Sequence, residues 1–239
     1  MMIKVVTKYI ISGIILLVAA AVNAAEIKPI NAVKLVYQEL EQGIEPYLVT
    51  YTVTSDYIRI EDEADNSGYI IYDIKANSIY SVNHYDQAIL VIPEYPVNDY
   101  KPGFDVVIEY EIFKDAPAIA GKQVYSYKVR AITDKSDDDC MKIQLVPGLL
   151  PDVASSLQGF QRLMSGQQAL TLEQTPEEYR TPCYLVDQIY NTGEYYSKGL
   201  PIHEWHSNER MRQLLNYEVV KVDVSIFDIP DEYRQYSLK

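Results

Sequence analysis

The sequence predicts an α+β fold: a curled antiparallel sheet, or half-open β-barrel, with an N-terminal helix and a second helix plugging the concave face. Three observations predict it. Apolar and polar residues alternate with a period of two in many short segments, turn-forming residues recur about every 8–12 residues, and two longer segments carry apolar stripes at helical spacing. Because twist accumulates across so many strands, the sheet is expected to curl around its helices.

The first 24 residues are typical of a secretory signal peptide. Lys4 and Lys8 supply the positive start, residues 10–22 are mostly apolar, and residues 22–24 fit the small-residue cleavage pattern. An uncleaved membrane anchor is the alternative, but the apolar core is shorter than the roughly 20 residues that span a bilayer. We therefore expect export to the periplasm, one mature domain over residues 25–239, and no transmembrane segment after cleavage.

Two cysteines, Cys140 and Cys183, remain in the mature chain. In an oxidising compartment such a pair most simply forms one disulfide. A metal pair or a redox pair is the alternative, but neither the C-x-x-C spacing nor further zinc ligands accompany them. The sequence therefore predicts a disulfide.

The first predicted helix follows Asn31, a suitable N-cap, and ends near Gly43. Pro46 would prevent its return. Its apolar stripe consists of Ala32, Val33, Val36, Tyr37 and Leu40.

Strands dominate the remainder. The alternation favours an antiparallel meander covered on one side, with a polar outer face. The segments that carry this pattern are 47–53, 57–60, 69–72, 78–82, 88–92, 104–112, 125–131, 141–145 and 220–226, and we interpret 184–190 and 200–206 as strands as well.

The second predicted helix lies between the last strands. Its apolar stripe consists of Val153, Leu157, Phe160 and Met164. Asp152 is a candidate N-cap and Gly166 marks its expected end.

The order of these patterns resembles the periplasmic lipoprotein-carrier superfamily, the LolA/LolB-like half-barrels. The resemblance covers about half of the mature chain. It rests on Tyr57-Ile58-Arg59-Ile60, Ile71-Tyr72-Asp73, Ile79-Tyr80, Gln87-Ala88-Ile89-Leu90-Val91-Ile92 and the ending Ser225-Ile226-Phe227-Asp228-Ile229-Pro230-Asp231-Glu232-Tyr233. Ile60 and Ile74 stand where the carriers usually have Pro and Gly. The resemblance therefore implies the fold of an uncharacterised exported member more than lipoprotein transport itself.

What the resemblance implies is a concave apolar surface that holds an acyl chain. We expect a non-catalytic periplasmic protein that binds an apolar or acylated ligand, with no cofactor. The alternative is a protein-binding module in envelope assembly or sensing, with its hollow filled and its sheet edges used for binding. The residues expected to line the cavity are Val49, Tyr51, Val106, Ile108, Tyr110, Tyr127, Val129, Ile143, Leu145 and Val222, with Leu149 and Leu150 as a lip and Phe160 as the plug.

Composition and motifs argue against other classes. With 21 basic and 34 acidic residues and a net charge of −13, the chain lacks the positive surface that binds nucleic acid. His203-Glu204-Trp205-His206 is not H-E-x-x-H, and on a strand its two histidines point apart, so no metal site is predicted. Ser165 lacks the G-x-S-x-G context of a nucleophile.

Overall fold

The computed structural model describes residues 29–63, 67–95, 102–191 and 193–237; the predicted signal peptide lies outside them. In these ranges, twelve strands form one curled sheet in the order β12-β6-β5-β4-β3-β2-β1-β11-β10-β9-β8-β7. All neighbouring pairs are antiparallel except β12 with β6. The two ends of this order do not meet, so the predicted α+β class with an open antiparallel sheet is confirmed.

The elements follow one another along the chain with short connections. They are β1 (Pro29–Leu40), β2 (Tyr47–Val53), β3 (Tyr57–Asp62), β4 (Gly68–Asp73), β5 (Ser78–Asn83), β6 (Ala88–Pro93), β7 (Asp105–Ile112), β8 (Tyr125–Ile132), β9 (Asp137–Val146), α1 (Pro151–Thr171), α2 (Pro182–Leu185), β10 (Leu200–His206), β11 (Met211–Asp223) and β12 (Arg234–Ser237).

The predicted N-terminal helix is wrong, because residues 29–40 form the central strand β1. A spacing of four residues, as between Val33 and Tyr37, keeps two side chains on one face in a helix and also in a strand. The intervening Leu35 is fully buried, which only a period of two explains. β1 pairs with β2 on one side and β11 on the other, and this pairing of distant segments decides its conformation.

Two other predicted strand boundaries are also wrong. Residues 182–190 are helical, α2 being followed by a π-helical turn at Val186–Tyr190. Thr181 caps α2 by accepting a hydrogen bond from the amide of Tyr184, and Pro182 takes the first helical position, where its missing N–H costs nothing. At the C-terminus β11 stops at Asp223, whose side chain caps the 3-10 turn Val224–Phe227.

The second predicted helix is confirmed as α1, but its boundaries differ. The cap position is Leu150, while Asp152 lies in the first turn. Gly166 does not end the helix. It lies inside α1, where a Cβ would stand 2.2 Å from the carbonyl oxygen of Tyr95, so the close approach of backbone requires glycine at this position.

The main hydrophobic core lies on one face of the sheet, which we call the inner face and define by Leu35, Tyr51, Tyr72 and Ile143. These residues share one buried cluster with Leu157 of α1. The ring of Phe160 on α1 lies 6.0 Å from that of Tyr72, in an edge-to-face contact.

The outer face is partly covered, contrary to the expectation of one polar face. Phe227, which follows β11, is buried and stacks on Tyr57 of β3 at 5.4 Å between ring centroids. Arg59 donates to the carbonyl oxygen of Ile226 at 2.5 Å. The chain then continues across the sheet to pair as β12 with β6. The C-terminal segment thus gives β3–β6 a second, smaller buried layer, in which Ile71, Val82 and Ile89 are buried.

Candidate functional site

A buried ion pair stands at the centre of the inner face. Glu204 of β10 and Arg212 of β11 are directly opposite in the sheet register. The guanidinium of Arg212 donates from Nε at 3.1 Å and from Nη2 at 2.5 Å to Oε1 of Glu204. It also donates to the hydroxyls of Tyr51 at 3.1 Å and Tyr196 at 2.9 Å. Since the side chain of Glu204 is 3% exposed, this carboxylate depends on its protein partners for solvation.

A second ion cluster adjoins the first. His206 lies two residues along β10 from Glu204, so both point to the inner face. Its Nδ1 is 2.8 Å from Oδ1 of Asp187, and its Nε2 is 3.6 Å from Oε2 of Glu204. Arg210 lies 3.9 Å from the other oxygen of Asp187. The imidazole therefore has a carboxylate on each side.

These contacts change the protonation of the cluster. Burial alone would raise the pKa of Glu204, but attraction to Arg212 and the contact with His206 lower it to about 2. Burial alone would lower the pKa of His206, whereas hydrogen bonds to Asp187 and Glu204 raise it above its usual value. The pKa of Asp187 is lowered: its burial, which acts in the opposite sense, is outweighed by His206. The cluster therefore favours two carboxylates and a positively charged imidazole.

A cavity of about 180 Å³ separates this ion cluster from α1. On the α1 side it is lined by Phe160 and Met164 together with two glutamine side chains. On the sheet side Glu39 and Arg210 are among the lining residues, with Tyr51 beside them. The walls therefore combine charged and amide groups with apolar surface, which suits a small polar ligand better than an acyl chain.

The structure separates the predicted lining residues into three groups. Seven are buried in the main core: Val49, Tyr51, Tyr127, Val129, Ile143, Leu145 and Leu149. Leu150 and Phe160 are half-buried and pack against that core, and Phe160, with Tyr51, lines the cavity. Val106, Ile108 and Tyr110 are 36%, 50% and 40% exposed.

Val222 lies apart from the other predicted lining residues and on the other face of the sheet. The register pairs Leu35 with Tyr217 and Ile30 with Val222. Side chains alternate between faces along a strand, so Tyr217 shares the inner face and Val222 the outer one. The prediction chose the wrong parity for this strand because both of its faces carry apolar residues.

The exposed members of the set belong to β7, the strand at one end of the sheet order. Val106, Ile108, Tyr110 and Ile112 follow one another on its inner face, opposite residues of β8 that are largely buried. Tyr110 stacks on Tyr125 with 4.9 Å between ring centroids. This β7 face is thus a row of apolar side chains at the rim of the core.

Sequence reasoning missed the ion cluster. The strand prediction for residues 200–206 is confirmed, and it already placed Glu204 on the face opposite to His203 and Trp205. A glutamate at an inward position is the signal that could have found the site, because a buried carboxylate requires a cation. The partners Asp187 and Arg212 come from segments whose positions the sequence did not fix.

The predicted disulfide is present in the structure, where Cys140 of β9 is bonded to Cys183 of α2. It ties the helical segment 182–190 to the sheet, next to the ion cluster that Asp187 joins. Among the described helices none combines the length and the hydrophobicity needed to cross a membrane. Within the same ranges, no three His, Cys, Asp or Glu side chains are grouped as metal ligands.

No protein-family model and no curated protein matches the sequence. Among solved structures, an uncharacterised conserved protein from Thermus thermophilus is similar with a TM-score of 0.42 and 7% identity, over 87% of this chain and 90% of that one. PNGF-II in two crystal forms is similar with TM-scores of 0.40 and 0.41 and identities of 10% and 9%. The match covers 87% of this chain but 31% and 32% of PNGF-II. These values are too low to assign a fold family or a function.

Proposed function

We propose that this is an exported, non-catalytic binding protein that engages an extended segment of a partner protein along β7. The observation that carries the proposal is the row of four exposed apolar side chains on the inner face of this edge strand. An edge strand offers unpaired backbone groups to an added strand, and pockets or apolar rows beside it select the side chains of the partner.

The packing of the interior supports this choice over an acyl-chain carrier. Seven predicted lining residues are buried in the core, which α1 helps to form. The cavity that remains has charged groups in its wall, and burying an alkyl chain against them would cost the solvation of those groups. Binding of an apolar ligand stays a prediction, and the β7 face is the surface left to it.

Charge distribution indicates what the partner segment would look like. The outer face of β7 carries Asp105, Glu109 and Glu111, and the whole chain is strongly acidic. If a second copy paired antiparallel along β7 with substantial overlap and with the apolar faces aligned, acidic residues would oppose one another, which is destabilising. A partner strand that alternates apolar residues with Lys or Arg fits both faces.

Synthetic peptides test this directly. A peptide alternating Val or Ile with Lys is expected to bind, and a peptide with Glu in place of Lys to bind at least about 10-fold more weakly, as measured by fluorescence anisotropy. Ile108→Asp and Tyr110→Asp should abolish binding, while Leu215→Asp, at a residue also 50% exposed, should not. Hydrogen exchange of residues 106–112 should slow on binding.

Three results would refute the proposal. One is equal binding of both peptides, the second is binding unaffected by the β7 variants, and the third is native mass spectrometry of protein from the periplasm showing a stoichiometric acyl ligand that β7 variants lose. Export has its own test, since N-terminal sequencing of the mature protein should begin at Ala25.

A further inference from the structure

Two opposite charges in the wall of the 180 Å³ cavity face the same space without pairing. Glu39 of β1 is opposite Arg212 in the register, and Arg210 lies two residues before Arg212. Diagonal neighbours of this kind on one face are about 7–8 Å apart, within reach of long side chains. Nonetheless Arg210 is bridged to Asp187 at 3.9 Å, and in the described part of the chain no ion pair joins it to Glu39.

The other charges of the site have their partners already. Arg212 is occupied by Glu204 and two tyrosine hydroxyls, and His206 by Asp187 and Glu204. Glu39 differs, because its carboxylate has no hydrogen bond within the described ranges, and burial raises its pKa. The side chain of Arg210 is 39% exposed, and one long contact leaves most of its five N–H donors available.

The remaining walls set the size and polarity of a ligand. The cavity volume equals the liquid share of roughly six water molecules, which is the space of a molecule with about ten heavy atoms. Phe160 and Met164 supply an apolar wall, and the amides of Gln161 and Gln168 supply donors and acceptors beside it. An inorganic anion would leave Glu39 without a partner, and a simple amine would leave Arg210 in the same position.

We propose that this cavity binds a free α-amino acid with an apolar side chain. The ammonium group faces Glu39, the carboxylate faces Arg210, and the side chain packs against Phe160 and Met164. Such a zwitterion supplies one charge to each unpaired group and keeps the site neutral, so neither protein charge stays desolvated and unpaired. This site is separate from the β7 face and does not depend on it.

Isothermal titration calorimetry with the full mature protein tests the ligand class. The probes are L-leucine, L-isoleucine, L-methionine and L-phenylalanine, with 3-methylbutylamine and 4-methylpentanoate as leucine analogues that lack one charge each. At least one amino acid is expected to bind, and L-leucine at least about 10-fold more tightly than either analogue. If none of the four amino acids binds at millimolar concentration, or if an analogue binds as tightly as L-leucine, the proposal is refuted.

Variants then test the geometry. Glu39→Gln and Arg210→Gln should each weaken binding at least about 10-fold, and Met164→Trp, which fills the cavity but keeps both charges, should abolish it. Glu218→Gln and Arg162→Gln make the same charge changes at exposed positions and should leave binding unchanged. Melting temperatures identify the variants that remain folded. Unchanged binding in a folded Glu39→Gln or Met164→Trp protein would overturn the assignment.

Discussion

Replacing Arg212 with Met should cost most of the stability that the central ion pair contributes. Met keeps the length of the side chain and removes the guanidinium, which leaves Glu204 buried with His206 at 3.6 Å as its remaining charged partner. The pKa of Glu204 is about 2 in the folded protein against the ordinary 4.5. At about 1.4 kcal/mol per pKa unit this corresponds to about 3 kcal/mol. Removing one member of a buried pair generally costs about 3–5 kcal/mol.

Urea unfolding, followed by the fluorescence of the single tryptophan, Trp205, measures this free energy. The matched control is Arg162→Met: Arg162 pairs with Glu194 on the surface, where both side chains are more than half exposed, and its loss should change stability by less than about 0.5 kcal/mol. The double variant Arg212→Met/Glu204→Gln should lose less than the sum of the single variants, because the unpaired charge is gone. An Arg212→Met loss equal to that of the control would refute the reasoning.

Three other predictions concern stability. Because the pKa of Glu204 is lowered to about 2, the stability it contributes is present above its ordinary pKa of 4.5 and is lost as the pH falls towards 2; acid titration of Glu204→Gln should lack that part of the loss. Replacing both Cys140 and Cys183 by Ser opens a loop with a sequence separation of 43 and should cost about 4 kcal/mol in the chain-entropy model; a midpoint unchanged in urea would contradict it. Gly166→Ala should destabilise by about 1–3 kcal/mol despite its better helix propensity, because the new Cβ would meet the carbonyl of Tyr95; a gain in melting temperature would count against that packing.

The strand meander could be predicted from the sequence because its signals are local. The segment Ser78–Asn83, for example, alternates in polarity between two turns, and it forms β5 as expected. Residues 29–40 could not be assigned in this way. Their spacings of four fit a helix and a strand equally, and pairing with β11, far along the chain, favours the strand.

The candidate sites show the same division. The alternation in β7 placed Val106, Ile108 and Tyr110 on one face, as the structure does. Their exposure depends on β7 being at the end of the sheet order, which no local pattern reveals. The seven buried lining residues share the predicted apolar character and differ from these three only in what packs over them.

The amino-acid sequence by itself determined the periodicity of most strands, the second helix, the cysteine pair and the acidic balance of charge, because each depends on neighbours in the chain or on composition alone. Only the tertiary structure decided the central position of β1, the C-terminal cover of the outer face and the meeting of Glu204, Arg212, His206 and Asp187. These features join residues that are distant in sequence, and their free energies come from burial and pairing that exist only after the chain has folded.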